Sequence, residues 1–322
     1  MLEILLDNKN GNMWDISEIA YTISWKTSRI GSPGRLEFSF VKRGIYQDKG
    51  FKYNNGDIVR VTRDGANVFY GYIFSIDEGK NEEVKITCYD QIRYLLSNAT
   101  YVFKNTTAAD MVIKIANDFK LKLGRIDDTG YKIPSMIEDN KKLLDIICKA
   151  LDYTLINAGK NYFLFDDFGV LSVRKSDDML LDFIIGDGSL MYDYNSKRSI
   201  DDDTYNRIKL YKDNKETGKR EVYQAQDSAN MAKWGVLQLY QSVDENMNSA
   251  QINALLNTLI AIKNRETKSL KIDAIGNIRV RAGCYVPVII EEYGINQPFI
   301  VNECTHKFEG ADHTMSLELK VI

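Results

Sequence analysis

Two stretches of this sequence repeat the same order of glycine turns and alternating apolar strands. Residues 56–61, GDIVRV, align with residues 283–288, GCYVPV, so that the glycine and both valines coincide. A three-residue insertion in the next turn then places Phe69 on Phe299. Each copy continues through a glycine turn into an alternating strand, at Gly79 and Val84-Ile86-Cys88 in one copy and at Gly310 and Met315-Leu317-Leu319 in the other. Such internal similarity is typical of a repeated structural unit.

An alternative explanation is that any two antiparallel meanders share glycine turns and alternating valines, and few aligned residues are identical. The matching order and spacing favour a duplication, with units near residues 56–89 and 283–319. We therefore predict two related antiparallel β-barrels. Three such chains would supply six quasi-equivalent units around a ring, closed by a heterologous rotation.

Residues 1–104 are typical of the first barrel, because short apolar strands recur at close spacing. The dipeptide Asn10-Gly11 lies between LEILL and MWDIS and predicts a type I′ hairpin turn. In VKITCYD, three apolar residues alternate with polar ones, as in a strand with one buried face.

Residues 105–195 are typical of a small α+β insert domain. Residues 105–107 offer an N-cap that would start a helix. One face of this helix would carry Met111, Ile115 and Phe119. A second helix is predicted over 141–152. Strands are predicted over 153–159 (YTLINAG) and in NYFLFDD.

Residues 196–322 are assigned to the second β-barrel domain, which carries a helical insertion. The strands TYNRIKLYKD and REVYQAQD flank a hairpin loop at 214–218. An amphipathic helix is predicted from about 248 to 265, capped by Asn248 or Ser249. The predicted fold class is therefore α+β and dominated by strands.

The charge balance argues against sequence-specific nucleic-acid binding. Lys and Arg number 42 against 45 Asp and Glu, for a net charge of −3. Phosphate binding needs a concentrated basic face, but the basic groups at Lys219-Arg220 and at Arg279 and Arg281 are short and diluted by acids.

The start of the sequence, MLEILLDNKN, has no basic region, and its apolar stretch is too short for a signal peptide. No stretch approaches the 18 apolar residues typical of a membrane span. These features predict assembly in the cytoplasm without membrane insertion.

The cysteines and histidines do not form a convincing metal motif. The cysteines are scattered without a CxxC pair and are interpreted as small buried apolar residues, at Cys88, Cys148, Cys284 and Cys304. Cys304, His306 and His313 could supply three zinc ligands, but a fourth is missing. A hairpin with partly exposed histidines explains the same residues. We predict no metal site.

A calcium loop is conceivable from Asp7 to Glu18, whose separation matches an EF-hand. Lys9 stands at a ligand position, and Asn12 stands where the sharp-turn glycine belongs. A hairpin through Asn10-Gly11 accounts for these residues without a metal.

Clusters of acids are interpreted as solvated loops or strand edges, at Glu82-Glu83, Asp166-Asp167, Asp201-Asp202-Asp203 and Glu291-Glu292. A glycosidase needs two carboxylates facing one sugar, whereas neighbours on a strand point to opposite faces. We hypothesise that some of these acids line a tube lumen, where they would repel DNA phosphates.

The sequence resembles a known family of phage proteins. Residues 55–124, from NGDIVRV to KLKLG, are similar to XkdQ/YqbQ-type proteins of prophages and phage-tail-like bacteriocins. LFDDFGVLSVRK, DDTYNRIKLY and HTMSLELKV are similar to the same family, and YDQIRYL, residues 89–95, is the most specific piece.

The resemblance implies a non-enzymatic baseplate hub of a contractile tail, without catalytic residues or cofactors. It implies a homotrimer in which each chain gives two tube-type barrels. Together these barrels would form a pseudo-sixfold ring that continues the hexameric tail tube and receives a trimeric central spike. Other baseplate and LysM-type tail proteins are implied partners, in a virion or an empty bacteriocin.

Two other functions remain open at this point. A tail-tip cell-wall hydrolase would need an acid or cysteine–histidine constellation, and no GxSxG, HExxH, GxGxxG or GxxxxGK[ST] motif occurs. A carbohydrate-binding module could use the 19 tyrosines for stacking on sugars, but they are spread through strands where packing explains them.

Overall fold

The computed structural model describes residues 1–44, 47–201, 203–214, 218–245 and 247–320. The chain divides into two compact units. Unit 1 comprises Met1–Asn195 with Lys271–Ile322, and unit 2 comprises Ser196–Leu270. The predicted division into residues 1–104, 105–195 and 196–322 stays a prediction.

Strands dominate the described residues. In chain order they are β1 (Leu2–Asp7), β2 (Met13–Asp15), β3 (Tyr21–Ser28), β4 (Arg35–Val41), β5 (Ile58–Arg63), β6 (Ala66–Glu78), β7 (Glu83–Tyr89), β8 (Asn98–Thr107), β9 (Leu123–Ile126), β10 (Lys132–Lys142), β11 (Tyr162–Asp166), β12 (Leu171–Lys175), β13 (Ile185–Gly186), β14 (Met191–Ser199), β15 (Arg207–Asn214), β16 (Lys219–Gln226), β17 (Gln238–Ser242), β18 (Thr267–Ile275), β19 (Tyr285–Ile290), β20 (Ile295–Glu309) and β21 (Asp312–Lys320). The α-helices are α1 (Ala108–Asp118), α2 (Leu143–Ala158), α3 (Ser228–Trp234) and α4 (Ser249–Lys263). Most strand pairs are antiparallel, which confirms the predicted β-dominated class.

One strand order occurs twice in the large sheet. The neighbours β5-β6-β7-β4-β3 recur as β19-β20-β21-β18-β14. In both sets the first three strands form an antiparallel meander. The sets differ beyond their first strand, because β1 runs antiparallel to β5 whereas β13 runs parallel to β19. The predicted similarity of the two stretches therefore extends to five strands on each side.

The turn before each meander has the same backbone geometry. Gly56 and Gly283 have φ values of +90° and +93°, a region that favours glycine. The Gly56 N–H donates to the Ile73 carbonyl at 2.7 Å, and the Gly283 N–H donates to the Val301 carbonyl at 2.9 Å. Ile73 and Val301 in turn donate to the carbonyls of the residues after each glycine, both at 2.9 Å.

A β-bulge also recurs at the same point of each meander. The pairing register shifts between Ile73 and Ser75 in β6, and between Val301 and Glu303 in β20. A bulge adds one residue to one strand and bends it locally. The matched hydrogen bonds and the matched bulge therefore both indicate that Val301 occupies the position in the second set that Ile73 occupies in the first.

This correspondence corrects the alignment made from the sequence. With Val301 at the place of Ile73, Phe299 corresponds to Gly71 and not to Phe69. The second copy is one residue longer between its glycine and this point, so the predicted three-residue insertion is wrong. The sequence alignment was chosen so that the two phenylalanines coincide. In the structure, the backbone hydrogen bonds of the β5–β6 and β19–β20 pairs fix which residues correspond.

Alternating residues of the first set and of the adjacent β1 form one apolar core. Its members are fully or almost fully buried and include Ile4, Leu6, Trp25, Leu36, Phe38, Phe40, Val59, Val61, Ile73, Val84, Ile86 and Cys88. The predicted alternation in VKITCYD is confirmed. Burying an apolar side chain of this size contributes about 1.5–3 kcal/mol.

The first helix follows the predicted cap. The side chain of Thr107 accepts the N–H of Asp110, and Met111 and Ile115 are fully buried. Phe119 is the C-cap residue, and its N–H still donates to the Ile115 carbonyl at 3.1 Å. Its side chain is 37% exposed, so this face is buried at Met111 and Ile115 but not at Phe119.

The strand predicted over residues 153–159 was wrong. Helix α2 runs on through this segment to Ala158 and ends at Gly159, whose φ is +65°. Leu151 and Thr154 continue its buried face, and the Thr154 hydroxyl donates to the carbonyl of Ala150. Packing in the helical core thus outweighs the modest strand preference of a Tyr-Thr-Leu-Ile run.

The hairpin between β1 and β2 is present, with Leu5 opposite Asp15 and Asp7 opposite Met13. Its turn is not the predicted two-residue type I′ turn. The loop spans residues 8–12 and is closed by the Asn8 N–H, which donates to the Asn12 carbonyl at 3.1 Å. Positive φ occurs at Lys9 and Gly11 instead of at two adjacent residues.

Unit 2 is a three-stranded sheet, β16-β15-β17, covered by α4. Ile252 and Leu256 of the helix pack on Ile208 and Leu210 of the central strand. Asn248 and Gln251 form a reciprocal capping box, which confirms the predicted helix start. Residues 215–217 of the predicted hairpin loop lie outside the described residues, but β15 and β16 pair on both sides of them.

Candidate assembly interface

Strand β20 joins the two sets of strands into one sheet. One edge of β20 pairs with β21 along most of its length. The other edge pairs first with β19, over Ile295–Ile300, and then with β3, from Glu303 opposite Ser28 to Phe308 opposite Ile23. The free edge of a strand from one set is therefore covered by a strand from the other.

Side chains reinforce this join. Lys26 Nζ lies 2.7 Å from Glu303 Oε2 near the surface. Beneath this pair, the Trp25 ring stacks on His306 with ring centroids 5.0 Å apart. An exposed ion pair is worth at most about 1 kcal/mol, so the buried ring contact and the backbone ladder carry most of the stability.

The two histidines are buried in this join, whereas partly exposed side chains were expected. His306 is fully buried, and His313 is 9% exposed. His306 Nε2 donates to the Val280 carbonyl at 2.8 Å, so Nδ1 accepts from His313 Nε2 at 2.9 Å. Burial lowers the pKa of His306 to about 4 and that of His313 to about 3, so both are neutral at pH 7.

The structure gathers the three residues that were considered as zinc ligands. Cys304 Sγ lies 3.1 Å from His306 Nε2, but that nitrogen is already bonded to a backbone carbonyl. Among the described residues no group of three His, Cys, Asp or Glu side chains has the placement that a metal ion needs. This geometry favours a packing role for all three.

Strand β6 has an edge that lacks the cover given to β20. Its side facing β5 is paired only from Ala66 to Tyr72, although the strand continues to Glu78. Over Ser75–Glu78, no other strand in the described part of the chain pairs on this side. Asp77 and Glu78 are exposed there. Glu78 is paired with Lys42 at 3.3 Å, so Asp77 is the acid of this edge that makes no ion pair within the described residues.

Strand β14 supplies a second open edge. It is the last strand at its end of the large sheet, with β18 on one side and no strand of the described residues on the other. Its residues 195–198, NSKR, are exposed, and neither Lys197 nor Arg198 makes an ion pair within the described residues. This edge is therefore basic. Open edges are sites where another strand can add.

The most family-specific segment, residues 89–95, builds a buried polar junction. Asp90 accepts the N–H groups of Gly34 and Ile92 at 2.8 and 3.0 Å. Gln91 Nε2 donates to Asp166 Oδ2 at 3.3 Å, and its Oε1 accepts the Lys122 N–H at 2.9 Å. Asp90 thus connects the β7 end to the residues just before β4, and Gln91 connects it to the following α+β residues.

The carboxyl groups of this junction are strongly perturbed. Burial and the neighbouring Asp166 raise the pKa of Asp90 well above its usual range. Burial also raises the pKa of Asp166 to about 6, against the effect of the Gly169 N–H that it accepts. Arg281 Nη2 donates to the Asp166 backbone carbonyl at 2.9 Å. The predicted solvated pair Asp166-Asp167 is therefore wrong for Asp166, which is buried.

The other acids lie at the surface, as predicted. They are exposed at Glu82, Glu83, Asp201, Asp203, Glu291 and Glu292, whereas Asp202 lies outside the described residues. Glu291 and Glu292 lie in a short 3-10 helix and not on a strand. Asp7 pairs with Arg60 at 3.0 Å, so its carboxylate in the conceivable calcium loop is already engaged.

The cysteines were predicted to be buried. Cys88, Cys284 and Cys304 are buried, and Cys148 is half-buried; all four are free thiols. Burial raises the pKa of Cys148 to about 11. No helix of the described residues is long and apolar enough to cross a membrane.

Two proteins of Bacillus subtilis are similar to this chain over most of its length. The chain is 32% identical to the uncharacterized protein YqbQ of Bacillus subtilis (strain 168) over 310 residues, which cover 94% of this chain and 92% of that protein. It is also 32% identical to the phage-like element PBSX protein XkdQ of Bacillus subtilis (strain 168), over 94% of this chain and 92% of that protein.

A solved structure shows the same fold at low sequence identity. The 43 kDa tail protein of prophage MuSo2 from Shewanella oneidensis superposes with a TM-score of 0.72 and 15% identity, over 98% of both chains. The family model described as YQBQ-like matches residues 23–320, which include both strand sets and unit 2. The chain therefore belongs to the YQBQ-like family.

Proposed function

We propose that this protein is a structural hub of a contractile phage-type tail. The observation that carries the proposal is the five-strand order that occurs twice in one chain. Its relative XkdQ belongs to a phage-like element, and the MuSo2 protein of the same fold is a tail protein. Both are consistent with a virion component assembled in the bacterial cytoplasm.

Each strand set corresponds to one tube-type barrel in this proposal. Three chains would then place six barrels around a ring and match a hexameric tail tube on one side. On the other side the ring would receive a trimeric central spike, and other baseplate proteins, including LysM-type ones, would bind around it. The matched turns at Gly56 and Gly283 support two equivalent units, since both begin at the same backbone geometry.

A structural role also fits the perturbed carboxyl groups better than catalysis does. Raised pKa values often mark general acids. Here, however, the oxygens of Asp90 accept two backbone N–H groups, and Asp166 accepts one from Gly169. Both side chains are buried, at 6% exposed, so they hold loops together instead of facing a substrate cleft. We therefore propose no enzymatic activity.

The experiment is co-assembly with the tail tube protein of the same particle. The chain should form trimers by light scattering, and electron microscopy should show it as a ring capping the tube. A chain that never associates with the tube protein would contradict the hub role. Hydrolysis of peptidoglycan in a zymogram would instead support a tail-tip hydrolase.

A further inference from the structure

We infer that the open edge of β6 pairs with the open edge of β14 of a second copy of this chain. The inference rests on the proposed ring and names the contact that would close it. Inside one chain, the equivalent contact is already formed between β20 and β3.

The strand equivalence leads to this pairing. In the repeated order, β6 corresponds to β20, and β14 corresponds to β3. The part of β20 after the bulge, from Glu303, is covered by β3. The part of β6 after the same bulge, from Ser75, has no such cover among the described residues. β14 is the strand that the equivalence assigns to it.

The charges of the two edges are complementary. β6 offers Asp77, next to the Glu78 that already pairs with Lys42, and β14 offers Lys197 and Arg198. The internal join has the same polarity, since the acid Glu303 lies on β20 and the base Lys26 on β3. Opposite charges across neighbouring strands stabilise a pair, whereas like charges destabilise it.

The contact is heterologous, because β6 of one copy meets a different strand of the next. Such contacts repeat around a ring if the rotation closes and give an open filament if it does not. With an internal join inside each copy and one β6–β14 join between copies, the two kinds of join alternate around the ring. The backbone ladder then supplies the adhesion, and the charges select the partner strand.

Charge reversal tests the pairing. Molar mass would be measured by light scattering for the wild type, the Asp77→Lys and Glu78→Lys double variant, and the Lys197→Glu and Arg198→Glu double variant. Each reversal should raise the concentration for half-assembly by at least about tenfold, since like charges then face each other. Combining all four substitutions should restore assembly.

A matched control carries the same charge changes elsewhere, as Glu82→Lys with Glu83→Lys, or Lys141→Glu with Lys142→Glu. These residues are exposed and lie outside the two edges. Glu78 accepts hydrogen bonds from the Tyr53 hydroxyl and from Lys42 Nζ, so its replacement removes contacts within the fold. If the double variant unfolds, the single variant Asp77→Lys takes its place in the test. If both charge-reversal double variants still form trimers, the β6–β14 pairing is wrong, but the proposed ring is not contradicted. A wild type that is monomeric at every concentration would overturn both.

Discussion

The backbone N–H of Gly283 lies 2.9 Å from the carbonyl oxygen of Val301 and donates a hydrogen bond to it. This bond fixes where β19 starts against β20. The bond requires a backbone φ of +93° at residue 283, and residues other than glycine rarely adopt this angle.

Replacing this glycine should destabilise unit 1. A Cβ at Gly283 would meet nothing closer than 3.5 Å, from Phe163, so the cost of Gly283→Ala is conformational. We expect the free energy of unfolding to fall by about 1–3 kcal/mol in urea titrations. Gly44→Ala is the control, because its Cβ would lie in open space and its φ is not positive. Equal stability of both variants would contradict the assigned strain.

The carboxyl group of Asp166 should give stability a distinctive pH dependence. Burial raises its pKa to about 6 from an ordinary 3.8, so the folded protein binds this proton more tightly than the unfolded chain. Its contribution is fully present below about pH 4 and is lost as the pH rises through 6. The free energy of unfolding of the wild type should therefore fall, relative to Asp166→Asn, by up to about 3 kcal/mol between pH 4 and 7.

Urea titrations at a series of pH values measure this difference. Asp145→Asn is a suitable control, since Asp145 is exposed on α2. The control should follow the pH profile of the wild type. If Asp166→Asn also follows it, the raised pKa is wrong.

The two histidines should remain neutral under mild acid. Burial lowers the pKa of His306 to about 4 and that of His313 to about 3, below the ordinary 6.5. Their contribution to stability is present above pH 6.5 and is lost as the pH falls toward the folded values. Because the chain contains only 2 histidines, ring carbon resonances in a histidine-labelled sample can be followed separately. They should not shift between pH 7.5 and 5, whereas those of the urea-unfolded chain should titrate near 6.5.

The capping box of α4 should stabilise unit 2. Asn248→Ala removes the acceptor for the Gln251 N–H, and the loss of such a cap costs about 1 kcal/mol. Hydrogen exchange of α4 amides should accelerate about fivefold. Asn253→Ala, on the exposed face of the same helix, should leave exchange unchanged or slower. Equal rates in both variants would show that the cap does not support the helix.

The sequence was sufficient to predict features that depend on local pattern. The alternation of Val84, Ile86 and Cys88, the Thr107 cap and the α4 start are all present. It failed where the register or distant packing decides. The true partner of Phe299 depends on ladder hydrogen bonds, and the helix over 153–158 depends on burial against other elements.

The junction at Asp90 and Gln91 was also beyond local pattern. The sequence shows only a polar pair after a strand, and a polar pair in that place is typical of a turn. Its partners Gly34, Lys122 and Asp166 are 56, 31 and 75 residues away. The sheet edges of β6 and β14 were missed for the same reason, since an open edge is defined by which strands do not come beside it.

The join between β3 and β20 has a consequence for synthesis of the chain. Ser28 and Glu303 are neighbours in the sheet but 275 residues apart in the sequence. At about 5–20 residues per second, β3 leaves the ribosome about 15–55 s before its partner strand exists. During that interval one edge of β3 on the nascent chain has no partner strand. Simultaneous translation of many copies therefore carries a risk of mispairing between chains at β3, and this risk ends when β20 pairs with it.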